Sequence, residues 1–236
     1  YRVYPGSISD KAHLKYMVAD NDFINGQKTR FVMDRGFYSA DNLRYLTDKG
    51  YRFVIALPTN LKYCTELIKK HGGEIANHSE YRLGSGLPYG KSCEETALGF
   101  RMKVHLFYDP QKALKETEAL YSLIDAQEND LRNMEEPPDK KLHYDRYFFI
   151  NRSKDGKLAY RRNNKAIDEQ LELCGYFLIA ETDFKKTTAE ILEIYRNRDV
   201  VEKSFDSLKN ELDMKRLHTW ASETAQGKLF VSFISL

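Results

Sequence analysis

The chain has 236 residues, 42% of them hydrophobic and 31% charged, the balance of a folded globular protein rather than a disordered or fibrous one. Its 37 Lys and Arg against 35 Asp and Glu leave a net charge of +2, too little to announce a nucleic-acid surface, so any basic face must come from local arrangement. Three widely spaced cysteines, Cys64, Cys93 and Cys174, fit neither a disulfide framework nor a CxxC zinc site. No apolar run reaches the roughly 20 residues of a membrane span, and the expected setting is a reducing cytoplasm.

In chain order, Tyr1 to Tyr4 reads as the end of a strand, and Pro5-Gly6 turns it towards a helix over about Asp10 to Ala19 with Ser9 as N-cap. Thr29 to Met33 forms a short strand ending at Asp34 and the turn Arg35-Gly36-Phe37. Ser39 caps a second helix through Leu43 and Leu46, and Gly50 stops it before the strand Phe53 to Leu57. A strand, helix, strand succession of this kind joins parallel neighbours in one sheet.

From Leu61 to about Gly175 the pattern is expected to be an insertion. It holds a strand over Leu98 to Tyr108, a helix from Asp109-Pro110 to Pro137-Pro138, and a hairpin of Tyr147 to Ile150 with Leu158 to Tyr160 around Asp155-Gly156. The helix carries mixed charges and is expected to be exposed. Gly84-Ser85-Gly86 reads as a turn, and His71, His78 and His105 read as structural or exposed. A strand Tyr176 to Ala180 follows, and Thr187 to Glu190 offers a capping box for one long helix reaching about Met214.

On that helix Ile194, Val201, Phe205, Leu208 and Leu212 share an apolar face. Tyr195, Arg198, Glu202 and Lys209, at their spacing, lie within roughly 60° of one another on a stripe bordering it. Taken singly, Asp34 is an ordinary turn former, Glu202 a solvated partner of Arg198, and Arg198 and Lys209 surface cations.

Together, Tyr195-x2-Arg198-x3-Glu202-x6-Lys209 resembles the Tyr-Arg-Glu-Lys signature of a large group of bacterial DDE-type insertion-sequence transposases. Phe31 to Phe37 resembles the second-Asp motif of the same family, and Tyr4 to Asp10 the segment between its first and second acidic residues. The resemblance implies an α/β fold with a ribonuclease-H-like core, residues 1–60 and 176–236, interrupted by a mainly β insertion, residues 61–175, that contains a long helix. It implies Asp34 and Glu202 as metal ligands for Mg2+, with Mn2+ as a substitute, and Tyr195, Arg198 and Lys209 as DNA-holding residues. Arg35 either contacts phosphate or stabilises its own turn. Trp220 and His218 either touch DNA or pack.

The implied activity is cleavage of transposon ends and joining of the freed 3′-hydroxyls to target DNA by two-metal phosphoryl transfer, carried out by a homodimer on DNA in the cytoplasm, near the nucleoid. Both ends of the chain read as cut. The family's first Asp, on the central strand upstream of the point where this chain starts, has no counterpart, and weak metal binding with little strand cleavage is expected of the fragment. The competing readings are a non-catalytic nucleic-acid-binding remnant and a structural α/β domain.

Overall fold

The computed structural model describes residues 10–25, 29–136, 143–153, 158–199, 203 and 222–234. The fold is mixed α/β, with a five-stranded sheet in the order β1 (Arg30–Met33), β2 (Arg52–Leu57), β7 (Tyr176–Glu181), β4 (Phe100–Tyr108), β3 (Tyr89–Ala97) and a separate two-stranded sheet of β5 (Phe148–Arg152) and β6 (Leu158–Arg162). The chain divides into two compact units, one of Tyr1–Leu57, Ser92–His105 and Ile179–Leu236, the other of Pro58–Lys91 and Leu106–Leu178. No helix among the described residues is long and apolar enough to cross a membrane.

In the first unit, β1 (Arg30–Met33) pairs in parallel with β2 (Arg52–Leu57), Arg30 opposite Arg52 and Met33 opposite Ile55. The crossover between them is α2 (Ala40–Asp48). Ser39 caps it, its hydroxyl accepting from the Asn42 amide at 3.1 Å, and Leu43 and Leu46 are buried. The helix ends in a Schellman arrangement: the Gly50 amide donates to Thr47 O and the Tyr51 amide to Leu46 O, both at 2.9 Å. Gly50 sits at φ 74°, where a Cβ would be strained. Helix α1 runs Asp10–Asn25, longer than expected. Its Leu14 and Val18 are buried, and its Lys11 carbonyl accepts from the buried Asn42 side chain at 2.9 Å.

The strand expected to begin at Leu98 is β4 (Phe100–Tyr108), and it is the second arm of a hairpin whose first arm, β3 (Tyr89–Ala97), was not foreseen. Leu98 and Gly99 join them, both at positive φ, as a two-residue loop matched to strand twist requires. Strand β7 is Tyr176–Glu181. It ends beside the start of β2, with the Thr182 amide donating to Phe53 O at 3.3 Å.

The second unit holds more helix than the mainly β character expected of residues 61–175. Helix α3 (Lys62–Asn77) buries Cys64, Leu67, Ile68 and Ile75, and α5 is Asn164–Leu171. Helix α4 (Pro110–Asn133) starts where Asp109-Pro110 placed it, Asp109 Oδ1 accepting from the Gln111 and Lys112 amides at 2.9 and 3.2 Å. It is not wholly exposed: Leu120, Ile124 and Leu131 form a core with Tyr144, Tyr147, Phe148 and Ile167, so its mixed charges conceal one apolar face. Strands β5 (Phe148–Arg152) and β6 (Leu158–Arg162) form the expected antiparallel pair, Phe149 opposite Arg161.

Candidate active site

Strand β1 delivers Asp34 to its C-terminal end. Met33 is buried, and at Asp34 the chain turns into the short 3-10 helix Arg35–Phe37. Asp34 Oδ1 accepts from the Arg35 amide at 2.5 Å, an N-cap that fixes the carboxylate while leaving about half of the side chain exposed. Arg35 is exposed in the same turn.

Helix α6 (Thr188–Arg196) supplies the other groups. Thr187 closes a full capping box: its hydroxyl accepts from the Glu190 amide at 3.3 Å, and the Glu190 carboxylate accepts from the Thr187 amide at 2.8 Å. The Thr187 amide, with Lys186 and the Thr187 hydroxyl, holds the Glu190 carboxyl at about 2. Helix α6 packs against both β1 and β2. Nine residues rise about 13 Å as helix, the length of a four-residue strand at about 3.3 Å per residue. A helix that starts at one end of β1 therefore finishes at the other.

There Tyr195 and Arg198 meet Asp34. The Tyr195 hydroxyl donates to Asp34 Oδ1 at 3.4 Å, and Arg198 Nη1 lies 3.3 Å from the same oxygen. The Arg198 guanidinium also sits 5.0 Å from the centre of the Tyr195 ring, a cation–π stack, and its side chain is only one-fifth exposed. Among the described residues, the polar contacts of the Asp34 carboxylate all fall on Oδ1.

The helix carrying these residues is not continuous as expected. Helix α6 stops at Arg196, and Asn197 caps it, its amide donating to Glu193 O at 2.9 Å. Arg198 and Asp199 are helical again, so Arg198 follows the break and still reaches the Tyr195 ring one turn back. Glu202, Lys209, His218 and Trp220 lie outside the described residues. So do the strand at Tyr1 to Tyr4, the Ser9 cap and the Asp155-Gly156 turn. Among the described residues no group of three or more His, Cys, Asp and Glu is placed to hold a metal ion.

The opposite end of the sheet carries polar groups of which the sequence reading named only His105, as structural or exposed. Glu181, at the end of β7, is fully buried, and its Oε2 accepts from the Asp183 and Phe184 amides at 2.5 and 3.0 Å. His105 of β4, also fully buried, places Nε2 3.8 Å from Glu181 Oε1 and Nδ1 3.2 Å from the Thr188 hydroxyl in the first turn of α6. Burial pushes the Glu181 carboxyl up, but His105 and the two amides outweigh it and hold the group below its ordinary value. Asp183, nearly buried, binds both Arg30 and Arg52, the second at 2.7 Å. Those two cations are directly opposed on β1 and β2, and Asp183 offsets a repulsion the pairing would otherwise carry. This polar cluster anchors the start of α6 while its far end presents Tyr195. Thr187→Ala should cost about 1 kcal/mol, read as a lower denaturation midpoint with unchanged slope.

A half-exposed carboxylate at a strand's end is thus met from a packed helix by a tyrosine and an arginine. The model of the transposase DDE domain family matches residues 1–236, and the chain belongs to that family. Neither the curated proteins nor the solved structures compared with the chain gave a match.

Proposed function

We propose that this chain is the catalytic domain of a DNA transposase, with β1, β2 and α6 in a ribonuclease-H-like core and residues 61–175 as its insertion. Asp34 and Glu202 hold Mg2+, or Mn2+ in its place. A carboxylate is the hard oxygen donor such ions take, and Asp34, half exposed and contacted through one oxygen, suits that role. Metal held by these carboxylates would supply activation of a water or 3′-hydroxyl and charge neutralisation at the leaving oxygen.

The protein's own groups position the DNA. Arg198 forks onto a phosphate, Lys209 and Arg35 add point charges, and Tyr195 hydrogen-bonds a phosphate or offers its ring. The parent protein cuts transposon ends and joins the 3′-hydroxyls to target DNA, as a homodimer on paired ends. One observation carries this reading. Tyr195 and Arg198, named from the resemblance to the Tyr-Arg-Glu-Lys signature, both contact Asp34, which lies 161 residues before Tyr195.

Mn2+ titration by calorimetry tests it. Asp34→Asn and Glu202→Gln should each weaken binding by at least about tenfold, the smallest loss seen even for residues that only support metal ligands. The exposed Glu94→Gln, away from these residues in sequence and paired with Arg101, should not. Mn2+ affinity indifferent to both Asp34 and Glu202 would sink the assignment.

A further inference from the structure

Asp34 is one of the partners that hold Arg198. In the DNA-free chain its guanidinium lies 3.3 Å from Asp34 Oδ1 and stacks 5.0 Å from the Tyr195 ring centre, while the function proposed above, on which this inference rests, asks it to hold a phosphate. A divalent ion at Asp34 also meets Arg198 as a like charge only a few ångströms away, where repulsion is at its strongest. We propose that Arg198 is the internal counter-ion of Asp34 in the DNA-free protein, and that a DNA phosphate and a divalent cation therefore bind cooperatively at this site. Phosphate draws Arg198 off the carboxylate, which would leave the Asp34 oxygens available to hold a divalent ion.

The geometry is suited to such an exchange. Arg198 holds Asp34 through one nitrogen at 3.3 Å, rather than by the bidentate fork that makes arginine–carboxylate pairs strong. The Tyr195 ring beneath the guanidinium keeps a cation–π contact available while the Arg198 side chain swings between acceptors. The Tyr195 hydroxyl, on the same Asp34 oxygen at 3.4 Å, leaves that oxygen with a donor when Arg198 departs. Asp34 itself stays in place, held by the Arg35 amide. Arg198 is thus the moving part and Asp34 the fixed one. Linkage makes the effect reciprocal: whatever factor DNA contributes to metal affinity, metal contributes to DNA affinity.

A double-mutant cycle in the whole chain separates this from simple charge repulsion. Binding of a fluorescent DNA duplex is measured by anisotropy in EDTA. Asp34→Asn should tighten binding by about tenfold by removing one of the acceptors that hold Arg198, a coupling of ordinary size between linked sites. In an Arg198→Gln background the same change should give no more than about threefold, the part due to removing a negative charge near DNA. In a second arm without DNA, Arg198→Gln and Arg198→Met should each bind Mn2+ several-fold more tightly than wild type, with melting temperatures confirming that both are folded. An Asp34→Asn effect of equal size in both backgrounds, or Mn2+ affinity that does not rise when Arg198 loses its charge, overturns the proposal. Absence of duplex binding by the wild type, or Mn2+ binding that ignores Asp34, instead overturns the transposase reading beneath it.

Discussion

Replacing Glu181 by Ala is expected to cost the first unit about 2–6 kcal/mol, because two amide donors lose their buried acceptor at about 1–3 kcal/mol each. The carboxylate is fully buried, accepts from the Asp183 and Phe184 amides, and lies 3.8 Å from an equally buried His105. Its loss strands those donors where water cannot replace it. Phe184 is at φ 59°, a conformation that costs energy outside glycine and is held in part by the Glu181 contact. Because the turn leads into α6, the damage reaches the helix that positions Tyr195.

The same carboxylate links stability to acid. Its folded-state value is held below the ordinary 4.5, so its contribution is complete above the unfolded-state value and disappears as pH falls through the folded one. Urea unfolding near pH 7 should therefore separate wild type from Glu181→Ala widely, and the gap should narrow below about pH 4. A variant within about 0.5 kcal/mol of wild type at neutral pH, the size of an ordinary surface change, would show that the turn stands without Glu181.

What could be read beforehand follows from where the physics is local. Asp34, Ser39 and Gly50 each announce themselves through a neighbouring apolar run and a cap or turn requirement, and β1, α2 and β2 fall close to their expected places. Tyr195 and Arg198 drew notice through their resemblance to a signature of fixed helical spacing, which is visible in one dimension, and both contact Asp34. Strand β3 was not, because Tyr-Gly-Lys-Ser-Cys-Glu-Glu-Thr-Ala has no apolar alternation and is a strand through its pairing with β4. Its turn hides a leucine at φ 60° in a place where Asn or Gly would have signalled a hairpin.

Helix α3 was masked by Gly72-Gly73 near its middle. A Cβ at Gly72 would stand 2.8 Å from the Tyr176 ring, so packing imposes a residue that helix propensity disfavours. The break at Asn197 carries no glycine or proline to mark it. Glu181 was hidden, and His105 read only as structural or exposed, for a related reason. Each ends or interrupts an apolar stretch, Tyr-Phe-Leu-Ile-Ala-Glu and Val-His-Leu-Phe, and a charged residue embedded in such a run was the available sign of a buried polar pair.

With Mn2+ present, Arg198→Ala is expected to weaken duplex binding by about 10- to 100-fold, since a hydrogen bond to a charged group contributes about 1.5–3 kcal/mol. The loss should be uniform across duplex sequences, because a phosphate contact positions DNA without reading its bases. The dependence of log affinity on log salt should flatten by about 0.9, one phosphate's share of released counter-ions. In EDTA the same substitution should cost less. There Asp34 competes for the guanidinium at 3.3 Å, and breaking that contact already offsets part of what the phosphate provides. A cost that is equal with and without Mn2+ would mean that Arg198 reaches DNA without leaving Asp34. A cost that varies with duplex sequence would place Arg198 on a base edge, and the site would then select its DNA as well as hold it.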